Sequence, residues 1–137
     1  MAYREWHIAY RNSQRTEAFE VVFRFEGLEI WKKAREFSSN VNRVTATFPS
    51  SERYALADQM NRASNAPALL IAEGSGLDTN ALFAHRLGLA IGEISEVAAA
   101  SFLAMDRGYI SEEKKNEIYE WADELARKIN AFRNALR

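Results

Sequence analysis

The sequence contains no cysteine, which excludes disulfides and thiolate metal sites and fits a reducing, cytoplasmic location. Proline occurs only twice, at positions 49 and 67, and a strand-like apolar run is confined to residues 21–23. No run of 18 apolar residues exists and residues 1–20 are charged, so we expect neither a membrane span nor a signal peptide. The net charge of −1 gives no whole-protein attraction to nucleic acid.

What the chain does contain is apolar residues at helical spacing. From residue 27 onward they recur every three or four positions in four successive segments, which places each set on one helix face. The four stripes run from Leu28 to Phe48, Leu56 to Leu70, Phe83 to Met105 and Ile118 to Leu136. The fold predicted is all-α, an antiparallel up-down-up-down four-helix bundle over residues 25–137, with residues 1–24 as a separate N-terminal arm.

Residues that begin or end helices lie between these stripes. Phe48-Pro49 ends the first helix, and Ser50 or Ser51 is expected to cap the second. Pro67 lies inside the second stripe and predicts a kinked helix or two helices in line. Gly74 and Gly76 are expected to supply the left-handed turn that closes it.

The third and fourth helices show similar signals. Asp78 is expected to cap the third helix, and Gly108 to end it in a Schellman motif. Gly88 and Gly92, four residues apart, predict the close approach of a neighbouring backbone. Ser111 is expected to cap the fourth helix.

The stretch IAEGSG, residues 71–76, combines a carboxylate with two glycines and invites comparison with a phosphate-binding loop. A Walker-type loop requires Gly-Lys-Ser/Thr after a strand, whereas this stretch has no lysine and follows a helix. The pattern therefore favours a helix end.

Folding the third helix back on the second brings several polar residues level with each other. Glu73 is expected to meet His85 or Arg86, while Gln59 and Arg62 are expected to meet Glu96. Because buried carboxylates need partners, these residues predict a polar network. We interpret it as fixing helix register in preference to catalysis.

Other chemistry has little support. A di-iron bundle needs two Glu-x-x-His motifs, but the only histidines, His7 and His85, follow Arg4 and Leu82 at the position of the glutamate. No nucleophile-elbow signature supports a Ser-His-Asp triad. We therefore expect no metal, no cofactor, no small-molecule substrate and no enzymatic activity.

One end of the predicted bundle is nevertheless basic. It gathers the start of the first helix, the second inter-helix turn and the end of the fourth helix. Nine cations and five carboxylates fall there, a net charge of +4. The residues considered for nucleic-acid phosphates are Lys32, Lys33, Arg86, Arg127, Lys128 and Arg133. The alternative is that these cations complement helix C-termini and maintain solubility.

Several motifs together resemble a known family. They are Phe25-Glu26-Gly27-Leu28-Glu29-Ile30-Trp31-Lys32-Lys33-Ala34-Arg35, Phe48-Pro49, Glu52-Arg53-Tyr54, Gln59, Arg62, Ile71-Ala72-Glu73-Gly74 and Gly108-Tyr109-Ile110. In order and spacing they resemble the bacterial four-helix-bundle proteins encoded in intervening sequences of the 23S ribosomal RNA gene, over roughly residues 25–137.

The resemblance implies a small cytoplasmic bundle whose function is mostly unassigned and which assembles as a homo-oligomer, in several members a ring of five. One relative, strongly basic, binds nucleic acid as an accessory factor of a reverse transcriptase. The family usually has Ile-Pro-Ser-Asn before Ile-Ala-Glu-Gly. Here the asparagine is replaced by Leu70, and Leu77 stands where a basic residue usually follows the second glycine.

Two roles follow from the sequence, with an enzyme as a distant third for which no residues can be named. The first is a non-enzymatic, oligomeric structural or scaffolding bundle. The alternative is a nucleic-acid-binding accessory protein that uses the basic end.

Overall fold

A computed structural model describes residues 23–136 of the chain. This part contains four α-helices: α1 (Glu29–Thr45), α2 (Leu56–Ser75), α3 (Asn80–Asp106) and α4 (Glu112–Ala135). Short 3₁₀ turns, Arg24–Gly27 and Ser50–Glu52, precede α1 and α2. No strand occurs among the described residues, which confirms the all-α prediction.

Each helix packs on the next one along the chain, and α4 returns to α1 through the smallest of the four contacts. This order is that of an up-down-up-down bundle, as predicted. The 3₁₀ turn Arg24–Gly27 contacts both α1 and α2. Residues 1–22 lie outside the described residues, so the division into an arm and a bundle stays a prediction.

The core is built from the stripes read in the sequence. Side chains with almost no solvent exposure come from all four helices: Val41, Met60, Ile71, Phe83, Leu87, Ile94, Val97, Ile118 and Ile129. Full burial of one such side chain contributes about 1.5–3 kcal/mol. Trp31 and Trp121 are only partly buried and pack against the edge of this core.

The ends of the helices confirm some expectations and correct others. Ser111 caps α4 by accepting a hydrogen bond from the backbone amide of Lys114. The cap of α3 is Thr79, whose hydroxyl accepts from the amide of Leu82, so the assignment to Asp78 was wrong by one residue.

The start of α2 lies later than the serines predicted. Ser50 and Ser51 belong to a 3₁₀ turn, and α2 begins at Leu56 without a capping side chain from Ala55. The carboxylate of Glu52 instead accepts from the backbone amide of Leu56 at 3.0 Å. One turn of 3₁₀ structure thus separates the proline from the helix.

The glycines after Ile71 do not form a left-handed turn. Gly74 lies within α2 and is buried, and Gly76 has a right-handed φ of −90°. A Cβ at Gly74 would lie 2.7 Å from Cδ1 of Phe83. Gly74 is therefore required for the close packing of α2 on α3, and IAEGSG ends a helix as expected.

The left-handed glycine of the described chain is Gly108, with a φ of 75°. Its amide donates to the carbonyl of Met105, and the amide of Tyr109 donates to that of Ala104. These two bonds define a Schellman motif, as predicted for this position. Tyr109 and Ile110 then pack against the core.

Gly88 and Gly92 do not mediate the backbone approach expected of them. A Cβ at Gly88 would lie 3.2 Å from the guanidinium of Arg133, so this glycine makes room for a side chain of α4. A Cβ at Gly92 would meet nothing within 4 Å. The four-residue spacing of the two glycines does not show which of them faces a neighbouring side chain.

Pro67 is accommodated inside α2, which runs unbroken from Leu56 to Ser75. The alternative of two helices in line is therefore wrong. Pro67 is fully buried. Ser64, three residues earlier on α2, is fully buried as well.

Helix α3 is apolar on more than its core face. Its most apolar 18-residue window has a mean hydropathy of 1.5, and α3 is long and apolar enough to cross a membrane by those measures alone. This is weak evidence, because a core helix of a bundle meets the same test, and α3 packs along both α2 and α4. Only 39 % of the window is buried, so much of its apolar surface faces outward.

Candidate functional site

The polar residues predicted along the α2–α3 contact are only partly brought together. Arg86 Nε lies 3.2 Å from Glu73 Oε1, so Arg86 rather than His85 is the partner of Glu73. Gln59 Nε2 donates to Glu96 Oε1 at 3.3 Å. These two contacts lie several turns apart along the α2–α3 contact.

Arg62 does not belong to this network. Its Nε lies 3.2 Å from Asp58 Oδ2, one turn earlier on α2, and its side chain is 81 % exposed. A partner at i,i+4 is always within reach on a helix, whereas Glu96 lies on another helix. The network is also exposed rather than buried, which removes the argument that it compensates buried charge.

Glu96 has an acidic neighbour on its own helix. Glu93 lies one turn earlier on α3, and partial burial together with a hydrogen bond to Glu96 raises the pKa of its carboxyl. Glu96 thus receives a hydrogen bond from Gln59 on one side and faces Glu93 on the other. The negative charge of Glu96 therefore disfavours the ionised form of Glu93.

A second polar seam, between α1 and α2, was missed. Its best-buried bond joins the hydroxyl of Thr45 to Asn61 Oδ1 at 2.6 Å. Asn42 Nδ2 donates to the hydroxyl of the fully buried Ser64, and the hydroxyl of Ser38 donates to Asn65 Oδ1.

Periodicity could have revealed this seam. Ser38, Asn42 and Thr45 step by four and three residues, which is the helical spacing used to find the apolar stripes. The seam fixes the register of α1 against α2, the role that had been assigned to the α2–α3 network.

Glu52 joins the two connections at the opposite end of the bundle from the basic residues. It accepts from the amide of Leu56 and from the hydroxyl of Tyr109, and Arg107 lies 3.6 Å away. Two hydrogen bonds lower the pKa of the Glu52 carboxyl. The bond from the amide of Leu56 has the larger effect, and the bond from the hydroxyl of Tyr109 has the smaller one. The hydrogen bond between Tyr109 and Glu52 raises the pKa of the Tyr109 hydroxyl.

Most of the cations proposed to contact phosphates are paired with carboxylates. Lys33 lies 3.6 Å from Glu36, Arg127 3.1 Å from Asp123 and Lys128 3.0 Å from Glu124. The hydrogen bond from Lys128 lowers the pKa of the Glu124 carboxyl.

The sequence-based charge of +4 for this end is therefore too high. It omitted Asp123 and Glu124, which lie one turn before the cations they neutralise. With Arg86 bound to Glu73, four of the six proposed residues carry a carboxylate partner.

Lys32 and Arg133 are the two exceptions, since neither has a carboxylate oxygen within 4 Å in residues 23–136. Lys32 is exposed on α1, where it lines an open groove with Arg35 and Arg43. Arg133 is half-buried against Gly88, and its Nε has no hydrogen-bond partner among the described residues. Of the other four, Lys33 and Lys128 line one groove between α1 and α4 together with the glutamates that pair with them.

No metal-binding cluster of His, Asp or Glu occurs in the described part of the chain. Several grooves lie between its helices and are lined by mixed polar and apolar side chains.

With this geometry in view, the comparison with protein families is decisive. The family model described as 23S rRNA-intervening sequence protein matches residues 26–131. The chain belongs to this family. The motifs from Glu26 onward that suggested the resemblance fall inside the matched range.

A solved structure supports the fold of this intervening-sequence protein. A protein of unknown function from the S23 ribosomal protein family of Bacteroides thetaiotaomicron superposes with a TM-score of 0.69 at 18 % identity. The match covers 75 % of this chain and 96 % of the other. No curated protein matches the chain.

The departures of this intervening-sequence protein from its family pattern have different surroundings. Leu70, in place of the usual asparagine, is partly buried and packs against the core. Leu77, in place of a basic residue, follows the end of α2 and is half-buried. This member therefore has apolar side chains at two positions where the family pattern has polar groups.

Proposed function

We propose that this 23S rRNA-intervening sequence protein is a non-enzymatic, cytoplasmic scaffold that assembles from copies of itself, as a ring of five if it follows the relatives noted above. The observation that carries the proposal is the outward face of α3. Outside its core stripe α3 carries four large apolar side chains that are between 42 and 47 % exposed: Leu82, Leu89 and Leu103 on one side, and Phe102 on the side towards α4.

A bundle helix that packs on two neighbours needs only one apolar stripe. Helix α3 has its core stripe on Phe83, Leu87 and Ile94 and carries the exposed residues in addition. Apolar surface of this kind is stabilised when another protein surface covers it. We take a second copy of the chain as the partner, because the family resemblance implies assembly as a homo-oligomer.

Light scattering after gel filtration tests this proposal. We expect the wild-type chain to elute as an oligomer at micromolar concentration, and Leu89→Lys/Leu103→Lys to shift it to smaller species, because each lysine places a charge in the contact. Tyr54→Lys is the matched control, since Tyr54 is more exposed but lies outside α3. Circular dichroism checks that each variant is folded. A wild-type monomer would overturn the proposal.

A second candidate function is sequence-independent binding of nucleic acid. It is favoured by the α1 groove, where Lys32, Arg35 and Arg43 lie without a carboxylate oxygen within 4 Å in the described chain. Such cations can contact phosphates without reading bases.

A gel shift with RNA and single-stranded DNA at increasing salt tests the second candidate. Binding that weakens with salt and is lost in Lys32→Glu/Arg43→Glu would support it, because each phosphate contact releases counterions. Arg53→Glu, at an exposed position outside the groove, is the control. Equal binding by both variants would remove α1 from consideration.

A further inference from the structure

The outer face of α1 carries a polar stripe of regular spacing. Arg35, Ser39 and Arg43 follow one another at four-residue steps and are all exposed. Arg35 lies over the ring of Trp31, and Arg43 donates to Asn40 Oδ1. Neither arginine has a carboxylate within 4 Å among residues 23–136. We call these three residues the α1 stripe.

The outer face of α4 carries a stripe of opposite charge. Glu112, Asn116 and Glu120 have the same four-residue steps and are likewise exposed. Neither glutamate lies within 4 Å of a cation in the described chain, although other acids of α4 do. We call these three residues the α4 stripe.

The two stripes match in chemistry and in length. Each has a small polar residue between two like charges, and the charges are about 12 Å apart along the axis at 1.5 Å per residue. Because α1 and α4 lie side by side and both stripes face outward, they do not meet within one chain. A second copy can bring them together.

We propose that the α1 stripe of one copy docks on the α4 stripe of the next, with arginines facing glutamates. This inference rests on the self-assembly proposed above and names the surfaces that direct it. The contact joins two different patches, so it is heterologous and adds subunits in one direction, as in a ring.

Apolar groups border both stripes and would be covered by the same contact. Arg35 and Ser39 form one wall of a groove of about 390 Å³ whose other wall includes Leu69, which is 68 % exposed. Beside the α4 stripe, the exposed rings of Phe102 and Tyr119 meet edge to face. The charges would thus fix the register of a contact that also buries apolar surface.

Charge reversal tests the pairing. Arg35→Glu/Arg43→Glu makes both stripes acidic, and Glu112→Arg/Glu120→Arg makes both basic, so each variant alone opposes like charges. We expect each to associate roughly 10- to 100-fold more weakly than wild type in sedimentation velocity, because like charges in a contact are strongly unfavourable.

Two further samples distinguish the pairing from a general effect of charge. An equimolar mixture of the acidic and basic variants should associate into alternating chains or even-numbered rings, since each variant supplies the stripe that the other needs; a ring of five would keep one contact between like charges. The variant with all four reversals should also assemble alone. Arg53→Glu/Arg62→Glu is the control matched to the acidic variant, because it reverses two exposed cations outside both stripes, lowers the net charge equally and should leave association unchanged.

The outcomes separate this inference from the proposed function. A monomeric wild type would overturn both. A wild-type oligomer that neither double variant weakens would overturn the pairing and leave the scaffold in place. Loss of association that neither mixing nor the fourfold reversal restores would also overturn it. Nucleic-acid binding lost in the acidic variant, without a change in assembly, would assign the α1 stripe to phosphates instead.

Discussion

The hydroxyl of Tyr109 donates a 2.7 Å hydrogen bond to Oε1 of Glu52, a residue 57 positions earlier in the chain. The bond joins the connection after α3 to the turn before α2. Oε2 of the same carboxylate accepts the first amide of α2, so one side chain both starts a helix and ties two loops together. The ionised form of Glu52 is thereby favoured in the folded state.

The first prediction concerns acid stability. The folded-state pKa of Glu52 lies below its ordinary value of 4.5, so its contribution is present above that pH and is lost as pH falls through the folded pKa. We expect Glu52→Gln to lower the free energy of unfolding at neutral pH and to flatten its dependence on pH below 4.5. Urea unfolding across this range measures both. Asp106→Asn, at an exposed carboxylate with no cation within 4 Å among residues 23–136, is the control, and an equal effect there would contradict the prediction.

The second prediction contrasts two glycines within helices. Gly74→Ala should destabilise the protein by about 1–3 kcal/mol, because its Cβ would overlap the ring of Phe83. Gly92→Ala should stabilise it by about 0.5–1 kcal/mol, since nothing lies within 4 Å and alanine favours the helix. Chemical denaturation provides both values. A stable Gly74→Ala protein would show that α2 and α3 can move apart without cost.

The third prediction concerns the Glu93–Glu96 pair. Burial and the neighbouring Glu96 raise the folded-state pKa of Glu93, so its ionised form is disfavoured in the folded protein. Glu93→Gln should therefore raise the melting temperature at neutral pH. The gain should shrink as pH falls and the wild-type carboxyl becomes protonated. A gain that persisted unchanged in acid would exclude this cause.

The fourth prediction concerns the α1–α2 seam. Thr45→Val should cost about 1–2 kcal/mol, because it removes the hydroxyl that donates to Asn61 Oδ1 and leaves that oxygen without its partner. Thr47→Val should have a smaller effect, since Thr47 is an exposed residue in the turn after α1 and its hydroxyl donates to the nearby carbonyl of Val44. Thermal unfolding of the pair compares the two, and equal losses would count against the seam.

The fold could be predicted from apolar spacing because burial has the same period as the helix. Val41, Met60, Ile94 and Ile129 are core residues of four different helices, and each was placed correctly, whereas the second stripe included the partly buried Leu70 in place of the fully buried Ile71. The Schellman motif at Gly108 was also predictable, because a glycine that follows a helix and precedes apolar residues is typical of this motif.

Other features depended on tertiary neighbours that a sequence does not specify. Gly74 and Gly88 look alike in a helix, but the first admits the ring of Phe83 and the second admits the side chain of Arg133. Arg62 could equally reach Asp58 on its own helix or Glu96 on the next, and local geometry selected the nearer carboxylate.

The candidate site was predictable only in part for a related reason. The basic character of Lys128 and Arg127 was visible, but their neutralisation follows from acids one turn earlier that were left out of the sum. The α1 and α4 stripes were not identified beforehand, because their meaning emerges only when both outward faces are known.

The small contact between α4 and α1 also gives the bundle a direction of opening. Separating α1 from α4 breaks a smaller contact than separating α2 from α3. Local opening should therefore occur first between α1 and α4. Amides of α1 and α4 would then exchange with deuterium before those of the central hairpin. In the proposed assembly two different neighbours would cover the outward faces of α1 and α4 in each chain, and assembly would slow deuterium exchange in both helices.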